Sequence, residues 1–345
     1  MDKNEQEMSV EIALSSVVGL GDQCLQSWQE ARKTVFSSEY QNIRNIVVCG
    51  MGGSSTPAFV VNSVFKPAVP LYVCQGYTLP AWVDEHTLVV LSSYSGNTEE
   101  TLSCAGEAKE KGCFLTGLCS GGKLADLFNE LNIPHYQYDP KHNPSKMPRL
   151  GIGYGMFGLL GLLSSLNLIK GMSGDDLDSQ LGSALKYVRA NSDKIETSAQ
   201  EFVDKFNSDA FMIFSAEHMK GNGIVFATQL NETSKRLAFA SEVPELNHNL
   251  VVGLTKLQGS ITPILFRSEN YHPRVLYRFE ITKEILDKAG YKSYVHKISN
   301  GSLLQEMLET LVFSSYCSVL FAKKNDIDPL MIPTIDFIKG KLLTK

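Results

Sequence analysis

The stretch Val90-Leu91-Ser92-Ser93-Tyr94-Ser95-Gly96-Asn97-Thr98-Glu99-Glu100-Thr101 decides how the chain is read. The apolar run at 88–91 predicts a strand, and residues 99–111 predict a helix. Between them lies a turn rich in Ser, Gly and Asn. The unpaired N–H groups at a helix start favour an anion. Ser93, Ser95 and Thr98 add hydroxyl donors, and Gly96 lets the backbone come close to a ligand. The turn holds no lysine, so it is not a Walker loop, and its spacing is not a dinucleotide fingerprint. The pattern suits a phosphate monoester on a small molecule. It equally suits an ordinary hydroxyl-capped helix start, so alone it leaves both open.

A second unit of the same kind precedes it. The β-branched run Asn45–Cys49 leads into Gly50-Met51-Gly52-Gly53-Ser54-Ser55, and residues 56–65 predict a helix. Two such loops, about 40 residues apart and each after a short apolar run, can meet at the carboxyl ends of parallel strands. Further strands are predicted at 69–74, 113–119 and 133–138, and an amphipathic helix at 9–36. The order is largely β, α, β, β, α, β, which predicts an α/β, doubly wound, mainly parallel sheet flanked by helices. Residues 139–148 are a polar connector. Arg149 follows it, before a glycine turn and an apolar helix at 154–168. It reads either as a surface arginine or as a cation at a cleft.

Residues 171–178 are a Gly/Ser/Asp-rich candidate linker. Helices are expected at 175–207, 221–238, 274–289 and 303–323, and strands at 210–215, 261–266 and 292–298. The second half thus repeats the plan of the first, giving expected domains at 1–172 and 173–345. It has no counterpart of the 50–55 and 93–98 loops, so one phosphate site per chain is expected.

Bulk properties narrow the classes. The chain has 345 residues, 43% hydrophobic and 20% charged, with a net charge of −5. That is ordinary for a soluble protein of about two domains and argues against nucleic acid as partner. Seven dispersed cysteines without zinc-type spacing fit free thiols in a reducing cytoplasm. The polar N-terminus is no signal peptide, and residues 154–168 are too short and too mixed for a membrane span.

The second half carries Gln229-Leu230-Asn231-Glu232-Thr233-Ser234-Lys235 and Glu242-Val243-Pro244-Glu245-Leu246-Asn247-His248-Asn249. If Glu232 and His248 meet in a cleft, the carboxylate can move a proton between adjacent carbons of an open-chain sugar, and the histidine can shuttle protons as the ring opens. An arginine would stabilise the enediolate. A solvated helical glutamate and a surface histidine are the bland alternatives. No HxH or HxxxH spacing points to a metal-dependent isomerase.

The 49–54 and 93–101 segments resemble sugar-isomerase (SIS) domains. Taken with Asn231-Glu232, with residues 244–249 and with Ile335-Asp336-Phe337-Ile338-Lys339, the chain resembles the bifunctional phosphoglucose/phosphomannose isomerases. The resemblance implies two tandem flavodoxin-like SIS domains, no cofactor and no metal. It implies a hexose 6-phosphate held by Gly53, Ser54, Ser93, Ser95 and Thr98. It implies Glu232 as base, Arg149 on the enediolate, and His248 and Lys339 in ring opening, with Lys341 the alternative lysine. A cytoplasmic homodimer with His248 reaching the neighbour's site is also implied, with a role in glycolysis and gluconeogenesis. A sugar-phosphate sensor would commonly carry a helix-turn-helix, and none is evident. A glutamine-dependent amino-sugar isomerase would carry an amidotransferase domain, for which no length is expected.

Overall fold

In the computed structural model, residues 3–256, 261–342 and 344 are described; Met1 and Asp2 of the polar N-terminus lie outside them. The first half runs α1 (Lys3–Val18), α2 (Leu20–Ala31), β1 (Asn45–Cys49), α3 (Thr56–Phe65), β2 (Leu71–Cys74), β3 (Thr87–Ser93), α4 (Glu99–Glu110), β4 (Phe114–Cys119), α5 (Gly122–Glu130), β5 (His135–Gln137) and α6 (Ile152–Ser165). The second runs α7 (Gly174–Ala190), α8 (Ser192–Lys205), β6 (Ala210–Ser215), α9 (Lys220–Thr233), β7 (Leu237–Glu242), α10 (Leu250–Leu254), β8 (Ile261–Arg267), α11 (Pro273–Lys288), β9 (Tyr294–Lys297), α12 (Leu303–Lys324) and α13 (Pro333–Leu342).

Both sheets are wholly parallel, in the orders β2-β1-β3-β4-β5 and β7-β6-β8-β9. The first is the flavodoxin order, and the second is the same order without its last strand. Strand β3 is buried along its whole length, as a central parallel strand covered on both faces must be. On one face of the first sheet lies the core that includes Val48, Val90, Trp28 and Phe157. On the other, Val89, Leu91 and Phe128 pack with α4 and α5. The first core continues into the second sheet through Phe211, Phe226 and Phe313, because α3 lies directly on α9. A Cβ at Gly221 would stand 2.4 Å from the Val60 backbone, so only glycine admits this approach.

Five expectations need correction. The helix expected at 175–207 is two, α7 and α8, meeting at Asn191. The helix expected at 9–36 is two, α1 and α2, broken at Gly19, where a Cβ would come within 2.4 Å of the His142 carbonyl. Residues 171–178 are mostly not a linker: Ser173 caps α7, its Oγ accepting from the Asp176 N–H at 3.1 Å while Asp176 accepts from the Ser173 N–H at 2.9 Å. The helix expected at 221–238 stops at Thr233, and edge strand β7 follows. The Asn231 amide clamps that strand, accepting from Ala238 N at 3.0 Å and donating to Ala238 O at 2.7 Å. Helix α5, between β4 and β5, was not expected. The N-terminal helix α1 also packs on α12, in the second half. Among the described residues no helix is long and apolar enough to cross a membrane.

Candidate active site

The winding of the first sheet reverses between β1 and β3, where doubly wound sheets open a crevice at their carboxyl ends. The two hydroxyl-rich loops emerge there and are laced together. Ser92 Oγ donates to Ser54 O at 2.8 Å, and the Tyr94 N–H donates to Ser54 Oγ at 2.9 Å. Within the second loop Ser93 and Thr98 hydroxyls pair at 2.8 Å, and the Gly96 N–H donates to Ser93 Oγ at 3.0 Å. Thr98 stands at the N-cap of α4 without a side-chain cap bond, so its hydroxyl leaves the first-turn N–H groups open towards the crevice. Gly96 has φ +71°, and a Cβ there would fall 1.7 Å from Gly121 O. The backbone conformation and the close approach both require glycine. Ser95 is exposed at the tip of the loop, while Ser93 is buried.

The same loops brace the 139–148 connector and the start of α6. Tyr94 Oη accepts from Asn143 Nδ2 at 2.8 Å, pinning the connector. A Cβ on Gly53 would stand 2.8 Å from Arg149 N and 2.9 Å from the Pro148 carbonyl carbon. The first loop therefore lies flat against the start of α6 and sets Arg149 beside it.

Arg149 is no surface residue; its side chain is 1% exposed. Its Nη1 lies 3.3 Å from Glu232 Oε2, and its Nε donates to Thr233 Oγ1 at 3.2 Å. Its Nη2 donates to the carbonyls of Pro329 at 2.6 Å and Leu330 at 3.3 Å. Burial lowers its pKa, and the neighbouring Glu232 carboxylate works in the opposite direction. Glu232 stands in the last turn of α9, its side chain 22% exposed, so the carboxylate is fixed on one side and open on the other. A Cβ on Gly52 would lie 3.7 Å from Glu232 Oε1, which places the first loop opposite the carboxylate. Gly53, Ser54, Ser93, Ser95 and Thr98 thus form one rim, with Arg149 and Glu232 beside it.

The sequence reading missed Lys235, although it stands in the same quoted segment. The residue is exposed, and its ammonium donates to the carbonyls of Glu232 at 2.9 Å and Asp328 at 3.0 Å. Partial desolvation and the nearby Arg149 charge push it down to about 8, against the pull of Asp328 and Glu232. Above that pH the cation is lost. We therefore expect kcat/KM for an anionic substrate to fall as pH rises through about 8. A Lys235→Met chain should show no such limb in its pH–rate profile.

His248 and Lys339 are not brought to this rim. His248 ends an exposed 3-10 turn, Glu245–His248. That turn is anchored by buried Leu246 and by Asn247 Nδ2 donating to Thr282 Oγ1 at 2.8 Å. Among the described residues no hydrogen bond or ion pair joins His248 to Glu232 within one chain. Lys339 is exposed on α13, a helix with no buried residue. The alternative, Lys341, sits 5.6 Å over the Phe337 ring.

Residues 195–342 match the family model of the bacterial phospho-glucose isomerase C-terminal SIS domain. The bifunctional phosphoglucose/phosphomannose isomerase of Aquifex aeolicus is 31% identical over 311 residues, covering 87% of this chain and 90% of that protein. The protein of the same name from Caldicellulosiruptor bescii is 29% identical, covering 95% and 98%. A solved structure of a hypothetical protein from Thermus thermophilus superposes with a TM-score of 0.72 at 16% identity over 99% of this chain and 94% of its own. Two flavodoxin-like units with a hydroxyl-lined crevice define a tandem SIS-domain protein. Within that class, the chain belongs to the bifunctional phosphoglucose/phosphomannose isomerase family.

Proposed function

We propose that this chain interconverts glucose 6-phosphate and mannose 6-phosphate with fructose 6-phosphate, without metal or cofactor, through a cis-enediolate. The observation that carries this is the Arg149–Glu232 pair at 3.3 Å beside the serine-rich rim. A phosphate seated on the first turn of α4, with Ser54, Ser93, Ser95 and Thr98 around it, would leave the far end of the sugar near Glu232. Glu232 takes the proton from C2 of the opened aldose and returns it to C1. Arg149, with Nη1 turned to Glu232, stabilises the negative oxygens of the enediolate. Rotation about C2–C3 presents either face of C2 to the same base, which joins the glucose and mannose reactions. The chain divides near residue 173, where α7 begins. Such a reaction belongs to cytoplasmic glycolysis and gluconeogenesis.

The deciding experiment is a coupled assay on EDTA-treated protein that follows fructose 6-phosphate from each aldose separately. Turnover of both substrates is expected. Turnover of neither, with fructose 6-phosphate still raising Tm, would make the chain a sugar-phosphate binder. Ser95→Ala removes a donor that would meet the phosphate equally in ground and transition states. It should therefore raise KM several-fold, by about 1 kcal/mol of lost binding, with kcat little changed.

The exposed position of His248 supports a homodimer in which it opens the ring in the partner's site, with Lys339 assisting. Co-expression of Glu232→Gln and His248→Asn chains tests this. In a mixed dimer one site would hold both defects and the other neither. Random pairing makes half the dimers mixed, so about a quarter of wild-type activity should return under two-fold symmetry. Recovery of none would place His248 in its own chain's site.

A further inference from the structure

Four of the seven cysteines stand apart as small buried or half-buried hydrophobes, and three converge. Cys49 ends β1 and Cys74 ends β2, and the two are register partners in the parallel sheet. Cys104, on α4, is laid over the same face. The three Sγ atoms all lie within 4.8 Å of one another. The residues are 1%, 5% and 0% exposed. Among the described residues this is the one group of three His, Cys, Asp or Glu donors close enough to share a metal ion, and Glu232 is not in it.

We propose that Cys49, Cys74 and Cys104 form a trithiolate site for one soft d10 cation, with Cu(I) the best match. A metal–sulfur distance of about 2.3 Å in a trigonal plane puts the sulfurs about 4.0 Å apart. Three sulfurs already within 4.8 Å of each other need only a small contraction to reach it. Sulfur ligands select soft ions such as Cu(I) and Zn(II) over hard ones. Zn(II) takes four ligands in its structural sites. Here the surroundings are apolar, with Leu79, Val89, Leu91 and Ala105 in the same cluster, and among the described residues no fourth His, Cys, Asp or Glu donor joins the group. Two of the thiols now spend their protons on backbone carbonyls, Cys74 on Thr78 at 3.3 Å and Cys104 on Gly76 at 3.4 Å. Binding is a ligand exchange without electron transfer: the ion arrives as Cu(I), and each thiol that ligates gives its proton to the buffer.

The test is an anaerobic titration of the full chain with Cu(I) against the chromophoric chelator bicinchoninate, with X-ray absorption on the loaded protein. The expected result is one Cu(I) per chain held against the chelator, with three sulfur neighbours. Cys74→Ala and Cys104→Ala should each lose it, while Cys24→Ala and Cys113→Ala keep it. No retained copper, copper with fewer than three sulfurs, or retention unchanged in both Cys74→Ala and Cys104→Ala would overturn the proposal. The sulfur count needs no variant, so it decides the matter even if a substitution disrupts folding. In a parallel Zn(II) arm, tighter retention of zinc with a fourth light-atom neighbour would overturn the assignment to Cu(I).

Discussion

Replacing Glu232 by Gln is expected to lower kcat by about 10²- to 10⁴-fold, the usual contribution of a positioned general base, while sugar phosphate still binds. Gln has the same length and keeps an oxygen to face Arg149 Nη1, now 3.3 Å from Glu232 Oε2. It loses the charge and the ability to take a proton. The serine-rich rim proposed to hold the phosphate lies on different elements, at the ends of β1 and β3, and none of its hydrogen bonds runs through Glu232. Two measurements therefore separate chemistry from architecture. Loss of deuterium exchange at C2 of fructose 6-phosphate in heavy water should accompany the fall in kcat. The rise in Tm with fructose 6-phosphate should persist. A variant that has lost both would make Glu232 a structural partner of Arg149. A variant that still exchanges deuterium at the native rate would put the base elsewhere.

The elements that carry this chemistry were legible for different reasons. The strands β1, β3, β6 and β8 announce themselves through apolar runs, because strands buried on both faces leave no polar alternation. Edge strand β7 was hidden. Its sequence, Leu-Ala-Phe-Ala-Ser-Glu, holds no β-branched residue, and it continues the apolar pattern of α9 without a break of Gly or Pro. The chain leaves the helix where Lys235 takes φ +53° and the Arg236 N–H closes on Leu230 O at 3.1 Å, and the Asn231 amide then grips Ala238, a contact seven residues apart that no local pattern reveals. The serine-rich rim was readable because its composition follows its packing: glycines where backbones touch, as at Gly53 and Gly96, and hydroxyls that lace the two loops together. Arg149 was ambiguous because its burial is made by distant backbone, the Pro329 and Leu330 carbonyls some 180 positions away. Lys235 went unremarked for a related reason, since its ammonium is held by the Asp328 carbonyl, 93 positions away. His248 and Lys339 mark the remaining gap, for a motif can name a residue while the fold leaves it exposed and, among the described residues, without a hydrogen bond to Glu232 or Arg149.

Arg149→Met is expected to have the second large effect, and it falls on stability and catalysis together. Met fills a similar volume but carries no donors. The substitution leaves the Pro329 and Leu330 carbonyls, the Thr233 hydroxyl and one face of Glu232 without their partner. Removing one member of a buried pair costs about 3–5 kcal/mol, because what remains is polar and cannot reach water. Glu232 softens this cost, since its carboxylate is 22% exposed and can be hydrated in part. Even so, the urea midpoint should fall clearly with little change in slope. Below the transition, the folded variant should turn over about 10²- to 10³-fold more slowly, the usual loss when a preorganised donor to a developing oxyanion is removed. KM should change far less, because the phosphate rim is intact. Arg149→Lys separates the two roles. A lysine restores a cation but no planar fork, so it cannot serve Glu232, Thr233 and two carbonyls at once. Partial rescue of kcat without rescue of the urea midpoint would assign the charge to catalysis and the fork to the fold. A methionine variant with native kcat and native midpoint would remove Arg149 from both roles.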